Sequence, residues 1–387
     1  MNTINEIYKK LEEIQHLPTF RNLIETDLSK FYHFPSRLLI NLSSTYFANR
    51  QYNPESKGQL KLRSSISKLY TKASHLAENI FVTASTSESY QVIFNVLKFD
   101  NARVLLPRPT YPLFDYLAKF SNIEIDYYDL IYDDENGWTV DIDSLVKQIK
   151  DGSRFLVIIS PNNPTGSNLE KKTFDDVCKI AVENNLIVIV DEVFSIFQEK
   201  FLSTGRNPTL YDDVLSSNYP NLKVFFLNGI SKMFALPDLK IAWFVGVNLS
   251  QIDKEAFEIY LDTFLNANYL AQDIITNLIN SSESLTFQRD MVESILSKSQ
   301  SLHNHGYIKK ANTSLQIQDL KLDSNESIKI LDANSGIHRV LNISNTRVKE
   351  EDYVLKLLDE KKIFVHPGYF YEIPREPNEV NIVMSIL

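Results

Sequence analysis

Between residues 80 and 247, short runs rich in Val, Ile and Phe alternate with segments of helical period. A run that is apolar at every position has no polar face to turn to water, so it suits a strand covered on both sides. Its alternation with helices suits a mostly parallel sheet. The expected strands are 79–83, 103–107, 155–160, 186–191, 223–228 and 241–247. Helices are expected between them: Tyr90, Ile93, Phe94 and Leu97 recur at i, i+3, i+4 and i+7, and 169–183 has a similar face. After residue 247 the pattern changes to long helical stretches over 254–284 and 287–303, then two short strand-like pieces and a helix near 353–358. The fold class is therefore α/β. A large domain with a mostly parallel sheet is expected over residues 45–250, with a smaller α+β domain built from 1–44 and 251–387.

With 387 residues, 43% of them hydrophobic, the chain has enough apolar material for two such domains. Forty Lys and Arg against 49 Asp and Glu give a net charge of -9, which argues against a surface that tracks nucleic-acid phosphates. No apolar run approaches the ~18 residues of a membrane span, and the start of the chain has no apolar core of the kind a signal peptide carries. A cytoplasmic protein with no membrane role is expected. Cys178, the single cysteine, has no partner for an internal disulfide or a cysteine-ligated metal site, and Phe174, Val177 and Ile180 around it make it a core thiol. No metal is expected.

Ligands of an open α/β sheet bind where strands end, and the polar residues there form a chemically coherent set. Thr83 is followed by small hydroxyl residues, among them Thr86 and Ser87, that open an amphipathic helix, a geometry that holds phosphate on free amides. Strand 155–160 runs into Pro161-Asn162-Asn163-Pro164-Thr165-Gly166, the next ends in Asp191-Glu192, and the one after that leads to Ser231-Lys232. A phosphate site, a carboxylate and a lysine thus come to one sheet edge.

These segments resemble the class I/II aminotransferases, the pyridoxal-phosphate (PLP) enzymes of fold type I in the aspartate aminotransferase superfamily. The matching segments, in order, are Thr83 to Ser89, Pro109-Thr110-Tyr111-Pro112, Asn163-Pro164-Thr165-Gly166, Asp191-Glu192, Ser231-Lys232 and Pro367-Gly368, and the stretch from Tyr52 to Arg63 looks like a further family segment. The resemblance implies a PLP-binding large domain and an aminotransferase working through a Schiff base on Lys232, with an amino donor and an oxoacid acceptor as partners. It gives Asp191 the pyridinium nitrogen, Tyr111 the stacking face, and Asn163 the ring oxygen. Thr86, Ser87, Ser231 and Lys240 hold the cofactor, and Tyr52 reaches in from the second subunit of a homodimer whose active site is shared.

The sequence also departs from the family pattern. Phe194 stands where a tyrosine usually follows the Asp-Glu pair, Ser85 replaces a glycine, Gly229 replaces a serine, and Lys240 replaces the phosphate arginine, losing the bidentate fork. The arginine that clamps the substrate carboxylate is replaced by Asn381, or by Met384 in a shifted register, which leaves Arg339 or Arg375 to take over the clamp. Three readings follow: a transaminase of an unusual amine or amino acid; a PLP lyase, decarboxylase or oxidase of the same fold; and a PLP-binding protein without catalysis.

Overall fold

The computed structural model describes residues 2–48, 52–70, 74–216, 219–265, 267–309, 314–331, 333 and 335–387. Its centre is an eight-stranded sheet made of β1 (Ile80–Thr83), β2 (Arg103–Arg108), β3 (Glu124–Asp133), β4 (Gly137–Val140), β5 (Ser153–Ile159), β6 (Ile187–Asp191), β7 (Val224–Gly229) and β8 (Ala242–Val247). The order across the sheet is β1-β8-β7-β6-β5-β2-β3-β4. Neighbours from β7 to β3 run parallel, whereas β8 is antiparallel to both β1 and β7, and β4 folds back on β3.

Side chains leave a strand on alternate faces, and here both faces are apolar. Phe155, Val157, Ile189, Phe225 and Phe244 join one core cluster, and Leu156, Ile158, Val188, Val190, Phe226 and Trp243 join the other. Each such buried side chain stabilises the fold by roughly 1.5–3 kcal/mol relative to exposure. The β3–β4 hairpin was not among the expected strands. Glu124–Asp133 mixes Glu and Asp with Tyr and Ile and is only partly buried, so it carries no continuous apolar run.

The smaller domain has a four-stranded antiparallel sheet of β9 (Ser327–Leu331), β10 (His338–Ser344), β11 (His366–Pro367) and β12 (Glu379–Ser385). Its order is β9-β10-β12-β11, and the helix Glu350–Lys361 packs beside it. Arg21–Asn22 pairs in parallel with Ile363–Phe364, which ties the N-terminal segment to this domain. The expected stretch 254–284 is two helices, Gln251–Asp262 and Tyr269–Ile279. Phe257 of the first enters the aromatic core, with ring centroids 5.3 Å from Phe81 and 5.2 Å from Phe244. Gln272 of the second accepts the Gln59 amide at 2.7 Å.

Candidate active site

Because β5, β6 and β7 run parallel, their carboxyl ends lie side by side, with Ile159 opposite Asp191 and Asp191 opposite Leu227. The loops leaving these ends and the first turn of the Thr86–Leu97 helix enclose a cavity of about 370 Å³. Of the site residues expected from the sequence, Thr86, Ser87, Tyr111, Asn163, Asp191, Ser231 and Lys232 all line it.

At one end, Ser85 caps the Thr86–Leu97 helix in an extended conformation. Its Oγ accepts the Glu88 amide at 3.1 Å while the Glu88 carboxylate accepts the Ala84 amide at 2.6 Å. This reciprocal cap satisfies the third amide of the helix and the one before the cap. The amides of Thr86 and Ser87 have no intrahelical acceptor and are free for an anion.

Asp191 ends β6, almost wholly buried. Its Oδ1 accepts the Val193 amide at 3.0 Å and its Oδ2 accepts the Tyr90 phenol at 3.1 Å. Burial pushes its carboxyl up to about 6, against the pull of those two bonds. Lys232 sits on the one-turn helix Ile230–Met233 that follows β7. Its Nζ donates to the Thr26 carbonyl at 2.6 Å and stands 5.7 Å from the centre of the Phe194 ring. Burial lowers this lysine to about 8, opposed by the Asp27 and Glu25 carboxylates. The Lys232 amine, a buried carboxylate and the first turn of the Thr86–Leu97 helix thus share one cavity.

The sequence profile described as "Aminotransferase class I and II" matches residues 47–385. The chain belongs to the class I and II aminotransferase family. Among its relatives are nicotianamine aminotransferase A of Hordeum vulgare, 28% identical over 76% of this chain and 60% of the relative, and the S-alkyl-thiohydroximate lyase of Arabidopsis thaliana, 33% identical over 43% of this chain and 34% of that one. The first matches span between 50% and 60% of the curated relatives' own length. The structure of alanine aminotransferase from Pyrococcus furiosus has the same fold, with a TM-score of 0.81 and 20% identity over 100% of this chain and 92% of that one.

Aminotransferases of this family generally use PLP, and the donor set here fits it. The two free helix amides suit the phosphate and the buried Asp191 carboxyl suits a cationic ring nitrogen. Asn163 holds a buried carboxamide oxygen with no partner among the described residues.

Six residues expected at this aminotransferase-family site lie outside the cavity. Lys240 follows the turn Pro237–Leu239 with φ 51°, and it is exposed to solvent. Tyr52 is 62% exposed and packs edge-on against Tyr269 at 5.4 Å. Asn381, the expected substrate contact, is buried in β12. Its carboxamide donates to the Pro374 carbonyl at 3.2 Å and accepts from Asn342 at 3.1 Å. Met384, its alternative, is wholly buried in the core. Arg339, 2% exposed, donates to the Ser335 carbonyl at 2.9 Å, the His338 carbonyl at 2.5 Å and the Ser299 hydroxyl. Arg375 stacks on Tyr369 and pairs with Glu351 at 2.9 Å.

The cavity also holds residues that the sequence did not single out. His338 packs edge-on against Phe194 at 5.8 Å, and His366 shares a 3.0 Å hydrogen bond with the Tyr371 phenol. Burial lowers His338 to about 3, with the Lys232 charge adding to it, and His366 to about 4. Both are neutral imidazoles at ordinary pH. The Tyr371 carbonyl accepts the Thr110 amide at 2.9 Å, which joins the smaller domain to the segment carrying Tyr111. Single histidines on short, separate strands leave no periodic signal. Tyr90 sits on an amphipathic stripe that reads as core, and only its distance of four residues from Thr86 places it on the cavity side.

Proposed function

We propose that this chain is a PLP-dependent aminotransferase that works through Lys232, with an amino donor and a 2-oxoacid acceptor. The observation that carries this reading is the convergence of the Lys232 Nζ, the Asp191 carboxylate and the first turn of the Thr86–Leu97 helix on one cavity. When bound, PLP supplies an aldehyde to react with amines and a ring that accepts the electron pair left when a substrate Cα–H proton is removed. The Thr86 and Ser87 amides would hold its phosphate, and Tyr111 and Asn163 would contact its ring and ring oxygen. Asp191, held by Tyr90 and the Val193 amide, would keep a proton on the ring nitrogen. With its proton affinity lowered to about 8, Lys232 can serve as nucleophile and then carry the substrate proton. His338, His366 and Phe194 line the cavity as neutral groups against which the substrate lies. The segment bearing Ile24 and Thr26 keeps water from the lysine.

A homodimer belongs to this reading, because the exposed Tyr52 would complete the partner's cavity. So does a cytoplasmic location, which rests on the composition alone. A lyase is the second reading. It is favoured by the similarity to the S-alkyl-thiohydroximate lyase and by Phe194, whose ring offers no hydroxyl to the cofactor.

The test is to add PLP, fix it with borohydride and locate the modified peptide. Modification of Lys232, with transfer of an amino group to a 2-oxoacid, is the expected result. Modification of another lysine overturns the assignment. Ammonia or a thiol released without an acceptor selects the lyase.

A further inference from the structure

The phenol of Tyr90 is 2% exposed and meets Asp191 Oδ2 at 3.1 Å. Ionised carboxylates cannot donate, so the tyrosine is the donor, and burial beside Asp191 holds the phenol proton on far above its ordinary range. Packing alone does not explain the hydroxyl. The Tyr90 ring meets Phe114 edge-on at 5.1 Å and Phe94 at 5.9 Å, contacts a phenylalanine would make as well. Tyr90 follows Thr86 by four residues and Ser87 by three, so all three project from one face of one helix into one cavity.

We propose that Tyr90 is a positioning residue for Asp191. Its O–H fixes one carboxylate oxygen while the Val193 amide fixes the other, so the carboxylate stays ionised and aimed at a pyridinium nitrogen. A single helix thereby sets both ends of the cofactor site, phosphate at its first turn and ring nitrogen at its second. This inference rests on the reading of the cavity as a PLP site. Other titratable groups surround Asp191: Glu192 next to it in the chain, Lys232, His338 and His366 lining the same cavity, and Tyr128 behind Tyr90. None of them hydrogen-bonds to the Asp191 carboxylate among the described residues.

The test is Tyr90→Phe, with Tyr128→Phe as the control, because the Tyr128 phenol donates to the Val157 carbonyl at 2.8 Å and not to Asp191. In the cofactor-free protein, the Asp191 carboxyl is followed by infrared titration, with Asp191→Asn to identify its band. Tyr90→Phe should raise the midpoint by about one pH unit or more, because a bond to the charged form is lost. In the PLP-loaded protein, the ¹⁵N shift of the cofactor ring nitrogen should move toward the unprotonated form. The kcat should fall about tenfold with KM changed less than about threefold. Tyr128→Phe should leave the midpoint and the shift where they are. An unmoved Asp191 midpoint overturns the proposal, and so does a lower kcat with an unmoved ¹⁵N shift, which marks a packing role. If the wild-type protein does not take up PLP, the reading of the cavity fails on its own, and the titration of the cofactor-free protein still judges the role of Tyr90.

Discussion

An ammonium group taken out of water gives up its proton more readily, and Lys232 does so near pH 8 in place of its ordinary 10.5. The rate of PLP attachment to the cofactor-free protein should therefore rise through pH 7–9 with a midpoint near 8; a midpoint above 10 would mean that the lysine is solvated. The same shift bears on stability. The unfolded lysine holds its proton more tightly, so between about 8 and 10.5 this group adds stability as pH rises, and below about 8 it opposes folding. At position 381 the outcome differs from the expectation drawn on sequence grounds. Asn381 lies in β12 under Gly368, where a Cβ on the glycine would stand 2.7 Å from the Asn381 Cβ. We predict that Asn381→Arg buries an unpaired guanidinium, costs about 3 kcal/mol or more in denaturant unfolding, and brings no gain in turnover of α-amino acids. A gain would place the side chain in the cavity after all. That Lys232 and Asp191 meet at one sheet edge was legible because strand ends and short motifs mark them. The presence of His338, His366 and Tyr371 in the same cavity was not, since they come from separate segments that only the tertiary fold brings together.

At the scale of elements, the Thr86–Leu97 helix begins with a cap that does two jobs. Ser85 Oγ satisfies the Glu88 amide and so fixes the turn from which the Thr86 and Ser87 amides point outward. Ser85→Ala should lower stability by about 1 kcal/mol and weaken PLP retention several-fold; dialysis against phosphate-free buffer reads the second effect, and unchanged retention would show that the amides do not hold the phosphate. The strands of the central sheet were readable because Ile187–Asp191 and Val224–Gly229 are buried at every position. The β3–β4 hairpin lies at the edge of the sheet, where partial exposure permits polar residues and erases the signal. The stretch 254–284 misled for a related reason. The break between its two helices is marked only by Asn268, whose side chain caps the second helix by accepting the Ala271 amide at 3.0 Å.

For the whole molecule, the position of Tyr52 decides what kind of assembly to expect. It is out in solvent, beside Tyr269, in a chain whose own cavity it does not reach. If it serves the partner's cavity, then mixing Lys232→Ala with Tyr52→Ala should restore activity that neither has alone, because each mixed dimer holds one intact site. Random exchange of subunits gives about a quarter of the wild-type rate. No recovery after subunit exchange would show that the sites are independent. The N-terminal segment pairs through Arg21–Asn22 with Ile363–Phe364, a contact between distant parts of the chain that no local pattern marks.

The edge strand β1 pairs with β8 alone, so Thr83 and the helix after it are fastened to the sheet by residues made much later on the ribosome. Roughly 160 residues separate the two strands, and at ordinary synthesis rates β8 follows about ten to thirty seconds after β1. During that interval Ile80, Phe81 and Val82 have no sheet to join, while β2, β5, β6 and β7 can already pair among themselves. The turn after Thr83 is thus translated long before the strand that holds it, and a nascent chain released before residue 242 carries Asp191 and Lys232 with that turn not yet paired to β8.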